Sequence, residues 1–264
     1  MRHALDILLS FTLIIGLGLN EARAQIPSEQ QAAKETYIDG LRLLNAGAQE
    51  PRLTALGINL GYVETDTKPG GGKYFCGALS QNDARGAARP ITAALLKLPD
   101  ASLRNLRLRY LILCSRAMAA GQRIGGIPVP PLDLLMLDIG ESGSDTTYLQ
   151  HIFLHELYHL IEFRFNTYQD PEWQKQFGAG YANSYGGRMK QSPVGTGKKG
   201  FLNAYSETYP HEERAELFAS LLLNPAEVAA HIKATRDEVL KAKALYMVAK
   251  CERLIGLRMT LPGY

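Results

Sequence analysis

The chain has little of several features that mark large protein classes. Its 29 basic and 26 acidic residues leave a formal net charge of +3 over 264 residues, which is no surplus for binding nucleic acid. Aromatic residues make up 8%, and no segment repeats at a fixed period, which excludes a propeller or a solenoid. Beyond residue 24, no apolar stretch approaches the ~20 residues of a membrane-spanning helix. The composition, 46% hydrophobic, is that of a globular protein with ample core material.

The first 24 residues predict a cleavable secretory signal. A basic start at 1–3 precedes an apolar run from Leu8 to Leu19, and Ala22-Arg23-Ala24 supplies a processing site before Gln25. An uncleaved anchor is the less favoured alternative, because the run is short for a membrane span. We therefore expect a secreted protein, periplasmic or extracellular, whose mature chain is one domain over residues 25–264, still at +3.

Cysteine is scarce. Cys76, Cys114 and Cys251 would all meet an oxidising compartment, where three cysteines form at most one intramolecular disulfide. Cys76 and Cys114 are closer in sequence and each adjoins a predicted strand, so we favour that pair. Cys251 lies in a helical pattern and is expected to pack as a small apolar residue. None of the three has the C-x-x-C spacing of a structural zinc site.

Periodicity and turn residues divide the chain into elements. The pattern predicts helices over 28–47, 90–98, 147–164 and 211–223, with a further helix starting at Asn224-Pro225. It predicts strands over 56–63, 74–76, 106–114 and 134–139. Residues 121–131 read as a turn-rich connection and 169–200 as a long irregular segment, which is often functional. This mixture predicts an α+β fold with a small sheet and a helical C-terminal part.

The predicted helix over 147–164 carries the sequence His155-Glu156-Leu157-Tyr158-His159, an H-E-x-x-H motif. Two imidazoles four residues apart lie on one face of a helix and can bind one Zn²⁺, and Glu156 beside them can accept a proton from water. The bland alternative is a surface helix with two solvated histidines. The apolar flanks disfavour it, because they indicate a buried helix whose histidines need partners.

A catalytic zinc needs a third protein ligand. No further histidine follows the motif at a suitable spacing, but Glu212 and Glu216 lie four apart on a later predicted helix, on one face. We predict Glu212 as the third zinc ligand and Glu216 as acceptor of an N–H from a ligating histidine. Taken alone, these acidic residues would more simply stabilise a helix N-terminus. Glu213 and Glu207 are the alternatives for the third ligand.

These residues together resemble a known group. H-E-x-x-H followed about fifty residues later by Glu212-x-x-Ala215-Glu216-x-Phe218-Ala219 is similar to the gluzincin metallopeptidases, and more narrowly to the anthrax lethal factor-like peptidase domain and related bacterial secreted zinc peptidases. The similarity covers roughly residues 133–223. It implies a zincin-like fold, with a small sheet packed on the active-site helix. It also implies His155, His159 and Glu212 as metal ligands, Glu156 as general base and Tyr205 as hydrogen-bond donor to the transition state.

The resemblance implies a secreted zinc metallopeptidase acting on peptide or protein substrates with one catalytic Zn²⁺. Two alternatives remain open: a zinc-binding module of the same fold without catalysis, and a zinc amide hydrolase acting on cell-wall or small-molecule substrates. The intact Glu156 argues against the first, because a structural site has no use for it. The pattern does not need His151, one turn before His155, and we expect it to be a satisfied core or boundary residue.

Overall fold

The structure is a computed structural model, and it describes residues 40–44, 51–69, 72–140, 145–185 and 194–264. The predicted signal peptide lies outside these residues, as does most of the helix expected over 28–47. Within the described ranges, no helix combines the length and hydropathy that a membrane span requires.

The strands form two sheets. In chain order they are β1 (Leu41–Leu43), β2 (Asn59–Val63), β3 (Tyr74–Cys76), β4 (Tyr110–Cys114), β5 (Ala117–Ala119), β6 (Gln122–Ile124), β7 (Gly126–Val129) and β8 (Leu134–Asp138). The main sheet has the order β1-β2-β4-β8-β7, with a parallel centre and antiparallel strands at both edges. The small sheet is antiparallel, in the order β3-β5-β6.

Among the described residues, three helices lie between the strands in chain order, and the other five form the C-terminal part. The helices are α1 (Pro51–Ala55), α2 (Gln81–Leu95), α3 (Asp100–Leu106), α4 (Thr146–Arg164), α5 (Pro171–Phe177), α6 (Pro210–Leu223), α7 (Pro225–Thr235) and α8 (Glu238–Ile255). Helix α4 is the central element, since it contacts β7, β8, α2 and α6. The prediction of an α+β fold with a small sheet and a helical C-terminal part is confirmed, and the main sheet is mixed.

The centre of the main sheet explains why its strands are continuous apolar runs. β4 pairs in parallel with both β2 and β8, so that Tyr110 lies opposite Asn59 on one side and Leu134 on the other. Helices pack on the sheet, and the apolar side chains of β8 from Leu134 to Leu137 are fully buried. Strand β8 therefore matches the strand predicted over 134–139 except for its last residue.

Helix α4 begins where its capping residue predicts. The Asp145 carboxylate accepts hydrogen bonds from the backbone N–H groups of Thr147 and Tyr148, at 3.0 and 2.9 Å. Such a cap satisfies donors that have no partner inside the helix. The cap fixes the start of α4, and with it the places of the histidines further along the helix.

Several element predictions are wrong in detail. Residues 41–43 form strand β1, not part of a helix, because Leu41 and Leu43 pair with β2 opposite Val63 and Gly61. Helix α2 begins at Gln81 instead of Pro90, since the Ser80 hydroxyl accepts a hydrogen bond from the Asp83 backbone and caps it there. Residues 100–106 form α3, which leaves β4 shorter than the strand expected over 106–114.

The stretch 121–131, expected to be a turn-rich connection, holds β6 and β7. Gly126 and Pro128 suggest turns, yet β7 pairs with β8 alone, at the edge of the main sheet. An edge strand tolerates proline because one side of it needs no ladder hydrogen bond. Likewise the irregular segment 169–200 contains the short helix α5.

The two sheets are joined covalently. Cys76 at the end of β3 and Cys114 at the end of β4 form a disulfide with an S–S distance of 2.00 Å. This is the pair favoured from the sequence, and it fastens the small sheet to the main one. Cys251 is a free, buried thiol on α8, and burial raises its pKa to about 12.

Candidate metal centre

Three side chains converge between α4 and α6. The Nε2 atoms of His155 and His159 lie 3.1 Å apart, and the Oε2 atom of Glu212 lies 3.0 and 3.3 Å from them. His155 and Glu212 are buried, and His159 is nearly so. Among the described residues this is the one group of three or more His, Cys, Asp or Glu side chains close enough to hold a metal ion.

The far side of His155 is held by Glu216. The Glu216 Oε1 atom lies 2.8 Å from His155 Nδ1, and its Oε2 atom accepts a hydrogen bond from the Asn203 amide at 2.6 Å. When Nε2 binds a metal, the one remaining proton of His155 sits on Nδ1 and is donated to Glu216, because a carboxylate can only accept. The residue four positions before, His151, brings its Nε2 to 3.4 Å from Glu216 without making a well-aligned hydrogen bond.

The far side of His159 faces a buried ion pair. Its Nδ1 atom lies 3.5 Å from Glu162 Oε2, and the other oxygen of Glu162 accepts a hydrogen bond from Arg214 at 2.5 Å. Neither His159 Nδ1 nor Glu162 Oε2 has an aligned hydrogen-bond partner among the described residues. A small rotation of His159 would close this contact and set its tautomer in the same way as that of His155.

Glu212 is held through its outer oxygen. Its Oε1 atom accepts a hydrogen bond from the Tyr185 hydroxyl at 2.7 Å and lies 3.4 Å from His211 Nε2. This leaves Oε2 to face the two histidines. Burial alone would raise the pKa of Glu212, but the neighbouring histidines hold it well below its usual range, so the carboxylate is ionised.

The pKa values of the two histidines are set by the carboxylates around them. Burial alone would lower their pKa values, but Glu212 and Glu216 raise the pKa of His155 well above its usual value. Glu162 and Glu212 raise the pKa of His159 to about 9. Because the three candidate ligand atoms lie this close together, a positive charge between them would stabilise the cluster. A divalent cation supplies that charge and replaces the protons, and the His₂Glu donor set with imidazole nitrogens suits zinc.

Glu156 lies beside the cluster on α4. Its side chain is half-buried and receives no hydrogen bond from the described residues, while burial raises its pKa. Opposite it runs β7. A Cβ atom placed on Gly126 would come 2.7 Å from Glu156 Cγ and 2.9 Å from the Met136 carbonyl oxygen. Glycine is therefore what lets β7 pass directly over the Glu156 side chain.

The aromatic side chains around the cluster come from the loop before α6. Tyr205 has its ring centre 5.8 Å from that of His155 and stacks on Tyr185 at 6.2 Å. Burial raises the pKa of Tyr205 well above its usual value, so that its hydroxyl stays protonated. Sequence reasoning reached Tyr205 by resemblance alone, and the structure places its ring next to a candidate ligand.

The other acidic candidates point elsewhere. Glu213 is fully buried against Lys243 Nζ, at 2.9 and 3.0 Å, and accepts a hydrogen bond from Tyr181. Glu207 accepts a hydrogen bond from the Lys198 backbone at 2.7 Å. Neither residue belongs to the cluster.

Sequence reasoning missed the residues that hold the cluster from outside. These residues are Glu162, Tyr185, Asn203 and Arg214. Glu162 could have been found, because it follows His159 by three positions on the same helix face. Tyr185 and Asn203 carry no local signal, since they lie in loops that only the tertiary fold brings to α6.

Comparison with known proteins supports the fold. No protein-family model matches the chain, and no curated protein matches it significantly. One solved structure does, a crystal structure of a Bacteroides caccae protein provisionally described as a zinc-binding metallo-peptidase. It superposes with a TM-score of 0.51 at 13% sequence identity, covering 88% of this chain and 89% of that one. The chain thus has a metallopeptidase-like fold, a likeness that says nothing of substrate.

Proposed function

We propose that the protein is a secreted zinc metallopeptidase of the gluzincin type, similar to the lethal factor-like peptidases. One observation carries the proposal. Glu216 holds Nδ1 of His155, and this directs Nε2 at the point where His159 and Glu212 also converge. That is the arrangement of a metal ligand with a fixed tautomer, and a solvated surface histidine has no need of it.

The site leaves room for catalysis as well as binding. Three protein ligands are typical of catalytic zinc, whereas structural sites use four. When bound, Zn²⁺ would act as a Lewis acid that makes water a nucleophile near neutral pH and polarises a carbonyl group. The chain's own residues then supply the proton transfer and the hydrogen bonds.

Glu156 is the proposed general base. It lies next to the ligand His155, and it is free of hydrogen bonds from the described residues, so its carboxylate is available to take a proton from water. Its raised pKa brings it closer to neutrality, which lets the same group pass the proton on to the leaving amine. Because Gly126 has no side chain, strand β7 passes close to Glu156 without displacing its side chain.

Tyr205 is the proposed donor to the developing oxyanion. Its ring lies near His155, and its hydroxyl stays protonated because burial raises its pKa. A protonated phenol can donate a hydrogen bond where negative charge appears in the transition state. The stacked Tyr185 ring restricts the positions open to Tyr205.

The decisive experiment measures zinc content and peptide hydrolysis on the same preparations. We expect Glu156→Gln to retain one zinc and to lose about 10²- to 10⁴-fold in kcat. We expect Glu212→Ala to lose zinc affinity. The matched control is Glu227→Gln, the same change of charge at an exposed position on α7, which should alter neither quantity.

The outcomes separate the proposals from one another. Unchanged zinc affinity in Glu212→Ala would remove Glu212 as a ligand, and full turnover by zinc-loaded Glu156→Gln would remove the base. A zinc-loaded wild type that cleaves cell-wall amides but no peptide would be an amide hydrolase. One that hydrolyses neither would be a binding module. Secretion is tested separately, by sequencing the N-terminus of the exported protein, which we expect to begin at Gln25.

A further inference from the structure

A cavity of about 320 Å³ opens beside the candidate metal centre. Its floor consists of three half-buried rings, those of Tyr168, Tyr209 and His211. Its exposed rim carries the amide side chains of Gln169, Gln174 and Asn183. None of the mechanism described above uses this cavity.

One residue, His211, connects the cavity to the metal centre. The ring of His211 forms part of the floor, lies 5.7 Å from the ring of His159 and brings its Nε2 to 3.4 Å from Glu212. A peptide advances at most ~3.6 Å per residue. A substrate whose scissile bond sits at the cluster would therefore place in this cavity a side chain that lies within about two residues of that bond.

The floor is arranged to receive a ring. Tyr168 and Tyr209 both pack against His211, with ring centres 4.7 and 5.4 Å away. The Tyr209 hydroxyl donates a hydrogen bond to the Asn183 backbone at 2.9 Å, which holds its ring in place. Aromatic rings gain most from further rings at such distances, in stacked or edge-to-face contact.

The rim selects against charge. The described residues that line the cavity include no carboxylate, lysine or arginine. A charged substrate side chain would lose water here without gaining a counter-ion, which is costly. The amides of the rim can hydrogen-bond a hydroxyl, so both phenylalanine and tyrosine fit the lining.

We propose that this cavity is a specificity subsite for an uncharged aromatic side chain near the scissile bond. The inference rests on the proposed peptidase function and extends it to the class of substrate. Peptides that carry phenylalanine or tyrosine at the corresponding position are then cleaved in preference to those that carry alanine, lysine or glutamate there.

The test uses the zinc-loaded protein and a peptide library in which each position around the scissile bond is varied. We expect kcat/KM to be about tenfold higher for phenylalanine or tyrosine than for alanine at one position. Tyr168→Ala should remove most of this preference. Gln174→Glu adds a carboxylate at the rim and should raise cleavage of lysine-containing peptides relative to aromatic ones. The matched control is Gln176→Glu, the same change on the same short helix away from the cavity.

A binding measurement is independent of turnover. On the zinc-loaded Glu156→Gln variant, calorimetry should give a lower Kd for a phenylalanine-containing peptide than for its alanine counterpart, and Tyr168→Ala in that background should equalise them. Cleavage without aromatic preference, or a Gln174→Glu profile identical to that of Gln176→Glu, would overturn the subsite and leave the peptidase proposal standing. A wild type that cleaves no peptide would overturn both.

Discussion

Helix α4 divides the molecule into a sheet half, residues 40–140, and a helical half, residues 145–264, and the two are filled with different chemistry. In the described part of the sheet half, Asp138 is the one buried charged side chain, and Arg123 pairs with it at 2.7 and 3.0 Å. The helical half buries three ion pairs besides the metal cluster. The pairs are Glu162–Arg214, Glu213–Lys243 and Asp170–Lys250.

The contrast shows that this fold places most of its buried charged side chains in the helical half. Burying charge gives little net stability, because desolvation offsets most of the attraction within a pair. In the helical half the pair Glu162–Arg214 lies directly behind the candidate ligand His159, and Arg214 also packs over the Trp173 ring at 5.6 Å. Both halves bury apolar side chains, and the helical half adds buried charges that position the candidate ligands.

The largest expected effect breaks a charge pair in the helical half. Arg214→Met leaves Glu162 buried without its partner and should cost about 3–5 kcal/mol of unfolding free energy. The double variant Glu162→Leu/Arg214→Met removes both charges and should recover most of that loss. Urea unfolding of the wild type, of the single variants Arg214→Met and Glu162→Leu, and of the double variant measures these changes in unfolding free energy.

The same double variant sharpens the comparison through metal binding. Because Glu162 faces His159, its loss should weaken zinc affinity about 10- to 100-fold even where stability is recovered. If the double variant loses as much unfolding free energy as the two single variants together, Glu162 and Arg214 do not act as a unit.

The next effect belongs to the sheet half. Leu135 on β8 is fully buried, and Leu135→Ala should cost about 3 kcal/mol by leaving a cavity. Zinc affinity should stay as it is, because Leu135 makes no part of the cluster. Leu43→Ala on β1, where 54% of the residue's surface is exposed, is the matched control and should change stability by less than ~0.5 kcal/mol. A loss of zinc in Leu135→Ala would contradict this separation of roles.

In both halves the sequence predicts local patterns and misses contacts between distant segments. The apolar runs of β4 and β8, the cap at Asp145 and the spacing of His155 and His159 are local patterns, and the structure contains each of them. Arg214 and Glu162 are 52 positions apart, and no local pattern joins them. The sequence did not predict strands β1 and β7 for a related reason. Their pairing with β2 and β8 overrides the preference of their own residues for helices or turns.

A third prediction concerns pH. In the metal-free protein the pKa of His155 is raised well above 6.5 and that of His159 to about 9. A raised folded-state pKa contributes stability that is complete below the unfolded value of ~6.5 and is lost as pH rises toward 9. Chelated protein should therefore lose on the order of 2 kcal/mol over that range.

Zinc-loaded protein should show no such loss between pH 6.5 and 9, because its ligands are already deprotonated. Thermal unfolding with and without chelator at each pH makes the measurement. Metal-free His159→Gln should have the flatter profile, whereas metal-free Leu135→Ala should keep the wild-type slope at lower stability. Equal slopes for all three would rule out the cluster as the source.

The smallest effect concerns helix α4, which packs on the strands of the sheet half. Asp145→Ala removes the cap of α4 and should cost about 1 kcal/mol, while Asp145→Asn should retain most of it. Zinc stoichiometry should not change, because the cluster lies several turns further along the helix. Thermal unfolding of both variants distinguishes the cap from a general effect of charge.

Gly126 bears on how this chain can be altered. The space above it is closed by Glu156 on one side and by the neighbouring strand on the other, so any side chain there must displace one of them. Unlike the exposed rim of the nearby cavity, where substitutions can be explored freely, this position admits a single residue type. A library that aims to change what the protein accepts should therefore randomise the rim and keep Gly126 fixed together with the histidines.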